Sequence, residues 1–145
     1  MTQIVVPFRG ASGKQRLDAP GPVRTRLALA MLGDVVTACV ATGRTFVVTR
    51  DPAARALAAE LGAEAVDDPG GGQGAAVAAG LQRAANGAVI VVNADVPCVV
   101  PHDLRTLAGP ARVRRSCGTT HGTSALTTIT APLSARSSPA ATAAP

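Results

Sequence analysis

The stretch Val89-Ile-Val-Val-Asn-Ala-Asp95-Val-Pro97 decides how the chain is read. It opens with β-branched apolar residues and no polar break. Such a run is how a strand buried on both faces of a parallel sheet is written. Asn93, Ala94 and Asp95 follow at its carboxyl end, and Pro97 stops the strand. Ligands of open α/β sheets bind at the carboxyl ends of strands. A carboxylate buried there needs a partner, and a divalent cation is a common one. Asp95 therefore has two readings. One is a Mg²⁺ ligand. The other is a helix N-cap or turn aspartate ahead of Pro97 and His102-Asp103-Leu104.

Outward from that strand, the alternation continues in both directions. Gln3-Ile-Val-Val-Pro-Phe8 reads as a short buried first strand. The loop Arg9-Gly-Ala-Ser-Gly-Lys-Gln-Arg-Leu17 follows, with small residues and three cations. Small residues let backbone N–H groups approach a ligand, and cations beside them face phosphate. The competing reading is a solvated basic loop. A P-loop is excluded, because Gly13-Lys14 lacks the upstream Gly and Gln15 stands where Ser or Thr is needed.

The spacing then predicts a helix from Val23 to about Ala41, with Leu27, Met31, Val35 and Ala38 on one face and Leu32 and Val36 flanking. Gly43 is the expected C-cap. Thr45-Phe-Val-Val-Thr49 is a second buried strand, and Asp51-Pro52 an N-cap with Pro at the first helical position. The helix 53–61 ends at Gly62, and Ala63-Glu-Ala-Val66 is a short strand. Asp67-Asp-Pro-Gly-Gly-Gly-Gln-Gly74 reads as a flexible loop before an Ala-rich helix at about 75–85. Its glycines suit wrapping around a ligand, and the helix start favours anions. It equally suits an exposed linker. A helix near 101–107 follows the strand at 89–92. Strands alternating with helices imply an α/β fold with a mostly parallel sheet and helices on both faces, three layers in all.

Composition narrows the function. Hydrophobic residues are 47% of the 145, and aromatics only 1%, Phe8 and Phe46. The core must be aliphatic, and no stacking platform for single-stranded nucleic acid exists. All nine acidic residues lie at or before Asp103, whereas Arg112, Arg114, Arg115 and Arg136 account for most of the net charge of +5. The basic excess belongs to the tail and argues weakly for nucleic acid, which is not an expected partner. Cys39, Cys98 and Cys117 form no zinc or disulfide pattern, and Cys39 reads as a small buried hydrophobe. No apolar run is long enough for a membrane. The N-terminus runs straight into a strand with no signal peptide, so a cytoplasmic location is the default expectation. His102 and His121 read as surface residues. No Ser-His-Asp or Cys-His arrangement appears.

Four stretches in order carry a resemblance. They are Val6-Pro-Phe-Arg-Gly-Ala-Ser-Gly-Lys-Gln-Arg-Leu17, Leu29-Ala-Met-Leu-Gly-Asp34, Asp68-Pro-Gly-Gly-Gly-Gln-Gly-Ala-Ala76 and Val92-Asn-Ala-Asp-Val-Pro-Cys98. The chain from Gln3 to Leu107 resembles the 2-phospho-L-lactate guanylyltransferase family, enzymes of coenzyme F-420 biosynthesis. The resemblance implies the Rossmann-like nucleotidyltransferase fold of molybdenum-cofactor guanylyltransferases. It implies transfer of GMP from GTP to 2-phospho-L-lactate or phosphoenolpyruvate, with pyrophosphate leaving. Phosphoryl-type transfer needs charge neutralisation and in-line positioning more than a covalent nucleophile. On that basis Asp95 would hold Mg²⁺, and Lys14, Arg16 and Arg9 would stabilise the triphosphate. Gly10, Gly13 and Asn93 would line the nucleotide, and Gly72, Gln73 and Gly74 would lie against the ribose and guanine, with backbone groups helping to read the base.

Family members continue past the end of this chain with a Gly-Thr-rich strand, an acceptor loop and an acidic strand carrying a second metal ligand. Here Gly118-Thr-Thr-His-Gly-Thr-Ser124 resembles the first, so Thr120 and Thr123 are the candidate acceptor-binding residues. The loop would fall near Ser137-Ser-Pro-Ala-Ala141, with Ser138 in place of its glycine and Ala141 in place of its serine. The acidic strand is missing. The expected organisation is a nucleotide-binding core at 1–109, a degenerate acceptor segment at 110–134 and a disordered tail at 135–145, so that the fold is incomplete at the C-terminus. The loss of acids after Asp103 suggests a shifted reading frame or a degenerate gene, which the nucleotide sequence decides. The rival functions are a molybdenum-cofactor or other nucleotidyltransferase and an inactive nucleotide-binding remnant. A Rossmann dinucleotide binder lacks its G-x-G-x-x-G after the first strand. A homodimer is compatible with the sequence.

Overall fold

A computed structural model describes residues 1–10, 20–84 and 87–109, and the backbone of the strand at 127–130. The elements alternate as β1 (Gln3–Pro7), α1 (Gly21–Val40), β2 (Arg44–Val48), α2 (Pro52–Glu60), β3 (Glu64–Val66), α3 (Gln73–Arg83), β4 (Ala88–Val91), α4 (Pro101–Leu107) and β5 (Thr127–Thr130). The sheet order is β3-β2-β1-β4-β5. The first four strands are parallel to one another, and β5 adds antiparallel to β4. Residues 127–130 thus form an edge strand.

The apolar runs become the centre of the sheet. In β1, Val5 lies between Phe46 of β2 and Val91 of β4. Ile4 and Val6 point to one face, into a cluster with Leu32, Val36, Cys39, Ala54, Ala58 and Leu104. Val5 points to the other, into a cluster with Phe46, Val48, Ala76 and Val89. Period-two alternation on a strand covered on both faces produces this split. Each fully buried Val, Ile or Leu contributes roughly 1.5–3 kcal/mol over its exposed state.

The helices differ from the sequence reading in three places. α1 buries Ala28, Leu32, Val35, Val36, Ala38 and Cys39, whereas Leu27 is 41% exposed. The buried face is rotated about the helix axis toward Ala28, Leu32, Val36 and Cys39, so Leu27 lies off it even though its neighbour Ala28 is buried. Gly43 is not a left-handed cap; the C-cap is Ala41 in a right-handed conformation. Gly43 is required for closeness, since a Cβ there would overlap the Thr2 carbonyl. α2 starts as expected, with the Asp51 carboxylate accepting from the amides of Ala53 at 2.9 Å and Ala54 at 3.4 Å. α3 begins at Gln73, two residues before the expected start, so Gln73 and Gly74 are helical and not part of the loop.

Candidate functional site at the carboxyl edge of the sheet

The ladder bonds of the central strands end together. Phe8 N–H donates to Val48 O at 2.9 Å, Thr49 N–H to Val66 O at 3.0 Å and Val92 N–H to Val5 O at 2.9 Å. Beyond them the chain leaves the sheet at one edge, through Arg9-Gly10, Arg50-Asp51, Asp67-Asp68 and Asn93-Ala94-Asp95. β1 stands between β2, reached through α1, and β4, reached through α3 from the far side. Connections that diverge on either side of a strand open a crevice at its carboxyl end, the preferred ligand site of such sheets.

The loop between β3 and α3 is held at both of its ends. Gly70, Gly71 and Gly72 have φ of +84°, +86° and +106°, a left-handed run that only glycine tolerates without strain. Asp68 is buried, and its Oδ1 accepts from the Gly70 amide at 2.8 Å. Its carbonyl accepts from Arg50 Nε at 2.6 Å. Asp67 pairs with Arg55, whose Nη1 also donates to the Thr49 carbonyl at 3.3 Å. At the other end, Gln73 Nε2 donates to Asn93 Oδ1 at 2.7 Å. The start of α3 is thereby tied to the residue that follows β4. The unpaired amides of its first turn favour negative charge.

Asp95 is exposed, on a turn after β4. The N-cap alternative is removed, because α4 is capped otherwise: Val100 N–H donates to the Asp103 carboxylate at 3.3 Å. Exposure also means that burial does not force a partner on Asp95. Among the described residues no group of three or more His, Cys, Asp or Glu side chains is spaced to hold a metal ion. A single exposed carboxylate does not make an all-protein cage. It does fit Mg²⁺, a hard cation that keeps its waters and is commonly held by one or two carboxylates together with substrate phosphates.

Of the residues singled out from the sequence, Arg9, Gly10, Gly72, Gln73, Gly74, Asn93 and Asp95 lie at this edge or in the first turn of α3. Gly13, Lys14, Arg16, Thr120, Thr123 and Ser138 lie outside the described residues, as do the acceptor segment apart from β5 and the tail. His102 is exposed and Cys39 is buried, as expected. Sequence reasoning gave no role to Arg50 or Asp68, and read Asp51 only as the N-cap of α2. Asp51 faces the first basic loop: a Cβ on Gly10, whose φ is +77°, would stand 3.4 Å from its Oδ2. The available signal was the one used for Asp95, polar residues directly after a buried strand. It was applied to β4 and not to β2.

Comparison with known proteins agrees with the fold. Residues 22–138 match the family model described as a MobA-like NTP transferase domain. A phosphoenolpyruvate guanylyltransferase of Geodermatophilus obscurus is 36% identical over 70% of this chain and 49% of that protein. One from Mycobacterium sp. (strain KMS) is 37% identical over 94% of this chain and 68% of that protein. The chain spans about half the length of the first of these relatives. In structure it is similar to a nucleotide-diphospho-sugar transferase from Desulfovibrio desulfuricans G20, with a TM-score of 0.58 at 13% identity, over 72% of this chain and 52% of that one. A parallel sheet wound through β1, a glycine-rich loop drawn to the end of β4 and these relatives lead to one conclusion: the chain belongs to the MobA-like NTP transferase family.

Proposed function

We propose that the chain is a guanylyltransferase core that transfers GMP from GTP to phosphoenolpyruvate or 2-phospho-L-lactate, releasing pyrophosphate, in coenzyme F-420 biosynthesis. Family membership and the names of the relatives support the reaction class. The observation that carries it is the 2.7 Å bond from Gln73 to Asn93. It ties a left-handed glycine run and a helix start to the segment after β4 that carries Asp95.

In the proposed reaction an oxygen of the acceptor's phosphate attacks the α-phosphorus of GTP. The bond from that phosphorus to the bridging oxygen breaks, and the electron pair leaves with pyrophosphate. The backbone N–H groups at the start of α3 orient phosphate oxygens. Arg9, with Lys14 and Arg16 of the same loop, offsets the charge of the triphosphate. Asp95 would hold Mg²⁺, which supplies charge neutralisation on the phosphates. Asn93, fixed by Gln73, keeps the edge beside Asp95 in one arrangement.

The test is pyrophosphate release from GTP with Mg²⁺ and each acceptor, beside ATP and CTP controls. The expected result is release with GTP that requires phosphoenolpyruvate or 2-phospho-L-lactate. Binding of GTP without release under any acceptor would contradict transfer and leave a nucleotide-binding domain.

A further inference from the structure

We propose that Arg50 selects the base of the bound nucleotide, donating from Nη1 and Nη2 to the O6 and N7 acceptors of guanine. The proposal rests on the nucleotide site set out above.

Arg50 is the second residue beyond β2, at the same edge as Gly10, Gly70 and Asp95. Its head is fixed before any ligand arrives. Nε donates to the Asp68 carbonyl at 2.6 Å. The guanidinium lies over Gly70, where a Cβ would stand 3.0 Å from Nη2 and 3.5 Å from both Cζ and Nη1. Gly70 thus serves two ends, a φ of +84° and room for the guanidinium.

What Arg50 leaves unspent is the second observation. Arg44 and Arg83 pair with Glu64, and Arg55 pairs with Asp67. Arg50 pairs with no acid among the described residues, and its Nη1 and Nη2 make no bond there. The nearby acids are committed elsewhere. Asp67 holds Arg55, Asp68 holds the Gly70 amide, and Asp51 Oδ1 caps α2. Charge balance with its neighbours does not account for Arg50.

A guanidinium fixed through Nε presents two parallel N–H donors in a plane. Guanine offers two acceptors, O6 and N7, at the matching spacing, and this is the commonest specific arginine–base pair. Adenine puts an amino donor where guanine has O6, so the same fork meets one donor and one acceptor. A triphosphate would also accept from Arg50. That role is indifferent to the base, and the test separates the two.

The experiment is direct binding of GTP, ATP and 7-deaza-GTP, which carries C–H in place of N7, to this chain and to its R50A and R50K variants. This chain is expected to prefer GTP to ATP and to 7-deaza-GTP. R50A is expected to lose about 10- to 100-fold of the GTP-over-ATP preference, the range of one bidentate pair, and to bind GTP and 7-deaza-GTP alike. R50K, with one compact donor group, should not restore the discrimination. If R50A weakens GTP and ATP in the same proportion, Arg50 braces the loop or binds phosphate, and the proposal is overturned. Equal affinity of the unsubstituted chain for GTP and 7-deaza-GTP overturns it without any variant. A chain that binds no nucleotide removes the underlying site as well, which distinguishes the two failures.

Discussion

Cys39 and Cys98 carry the same thiol in opposite environments. Burial pushes the Cys39 thiol up to about 12, so it stays protonated and unreactive. Cys98 is exposed in the segment after β4. Alkylation followed by mass spectrometry should label Cys98 in the native chain and Cys39 only after denaturation. The pH dependence has a definite sign. An unfolded thiol ionises near pH ~8.5, whereas the native Cys39 still holds its proton. The unfolded state then binds fewer protons, so the contribution of Cys39 is complete below about pH 8.5 and declines as pH rises through 9 to 12. The Cys39→Ser chain should lack this alkaline decline in chemical denaturation. At this scale the sequence was partly legible. Asp95 could be located because the strand before it is unbroken. Arg50 holds the same kind of position after β2, but its fixed guanidinium was not legible, because its partner Asp68 lies 18 residues away, in a loop whose position only the assembled sheet fixes.

At the scale of elements, α3 shows why small residues recur in the chain. Gly80 faces the sheet, and a Cβ there would overlap the Val5 side chain and stand 3.0 Å from Val48 Cγ2. Ala76, also fully buried, belongs to the same close seam. This seam lowers α3 onto β1 and β2 and so brings Gln73 within reach of Asn93. Gly80→Val should overpack the seam and cost about 1–3 kcal/mol, read as a lower urea midpoint. Gly74→Ala, with nothing within 4 Å of the added Cβ, should be stable by comparison. The existence and type of each described helix were legible from spacing and from the Asp51-Pro52 start. The face of α1 was not. Leu27 fits the apolar period, but Ala28, Leu32, Val36 and Cys39 take the sheet-facing side, and which of two adjacent apolar stripes is buried is not written in periodicity. The start of α3 was missed for a related reason, since a Gly-Gly-Gly run reads as loop until the residue after it is tied to another strand. On the far edge, Glu64 of β3 joins Arg44 and Arg83. The Arg44 hydrogen bond first, and then Arg83, hold its carboxyl below the usual carboxylate range. That contribution is present at neutral pH and is lost as pH falls through the folded value. Because these side chains are well exposed, it is small.

At the scale of the molecule, the order β3-β2-β1-β4 gathers separate loops at one edge of the sheet. That order was not legible in sequence, since alternating strands and helices fit several windings. The carboxyl-edge rule nevertheless pointed to Asp95 without it, because the rule holds for any parallel winding, whereas Gly72, Gln73 and Asn93 were named through the family resemblance. The account therefore depends on nucleotide phosphates and Mg²⁺ meeting at Asp95. The direct measurement is calorimetric titration of GTP, with and without Mg²⁺, into this chain and its Asp95→Asn variant. The account predicts that Mg²⁺ tightens GTP binding by about tenfold or more, close to one charge-assisted contact of 1.5–3 kcal/mol, and that Asp95→Asn abolishes the Mg²⁺ effect while GTP alone still binds. An equal Mg²⁺ dependence in the two proteins would contradict it.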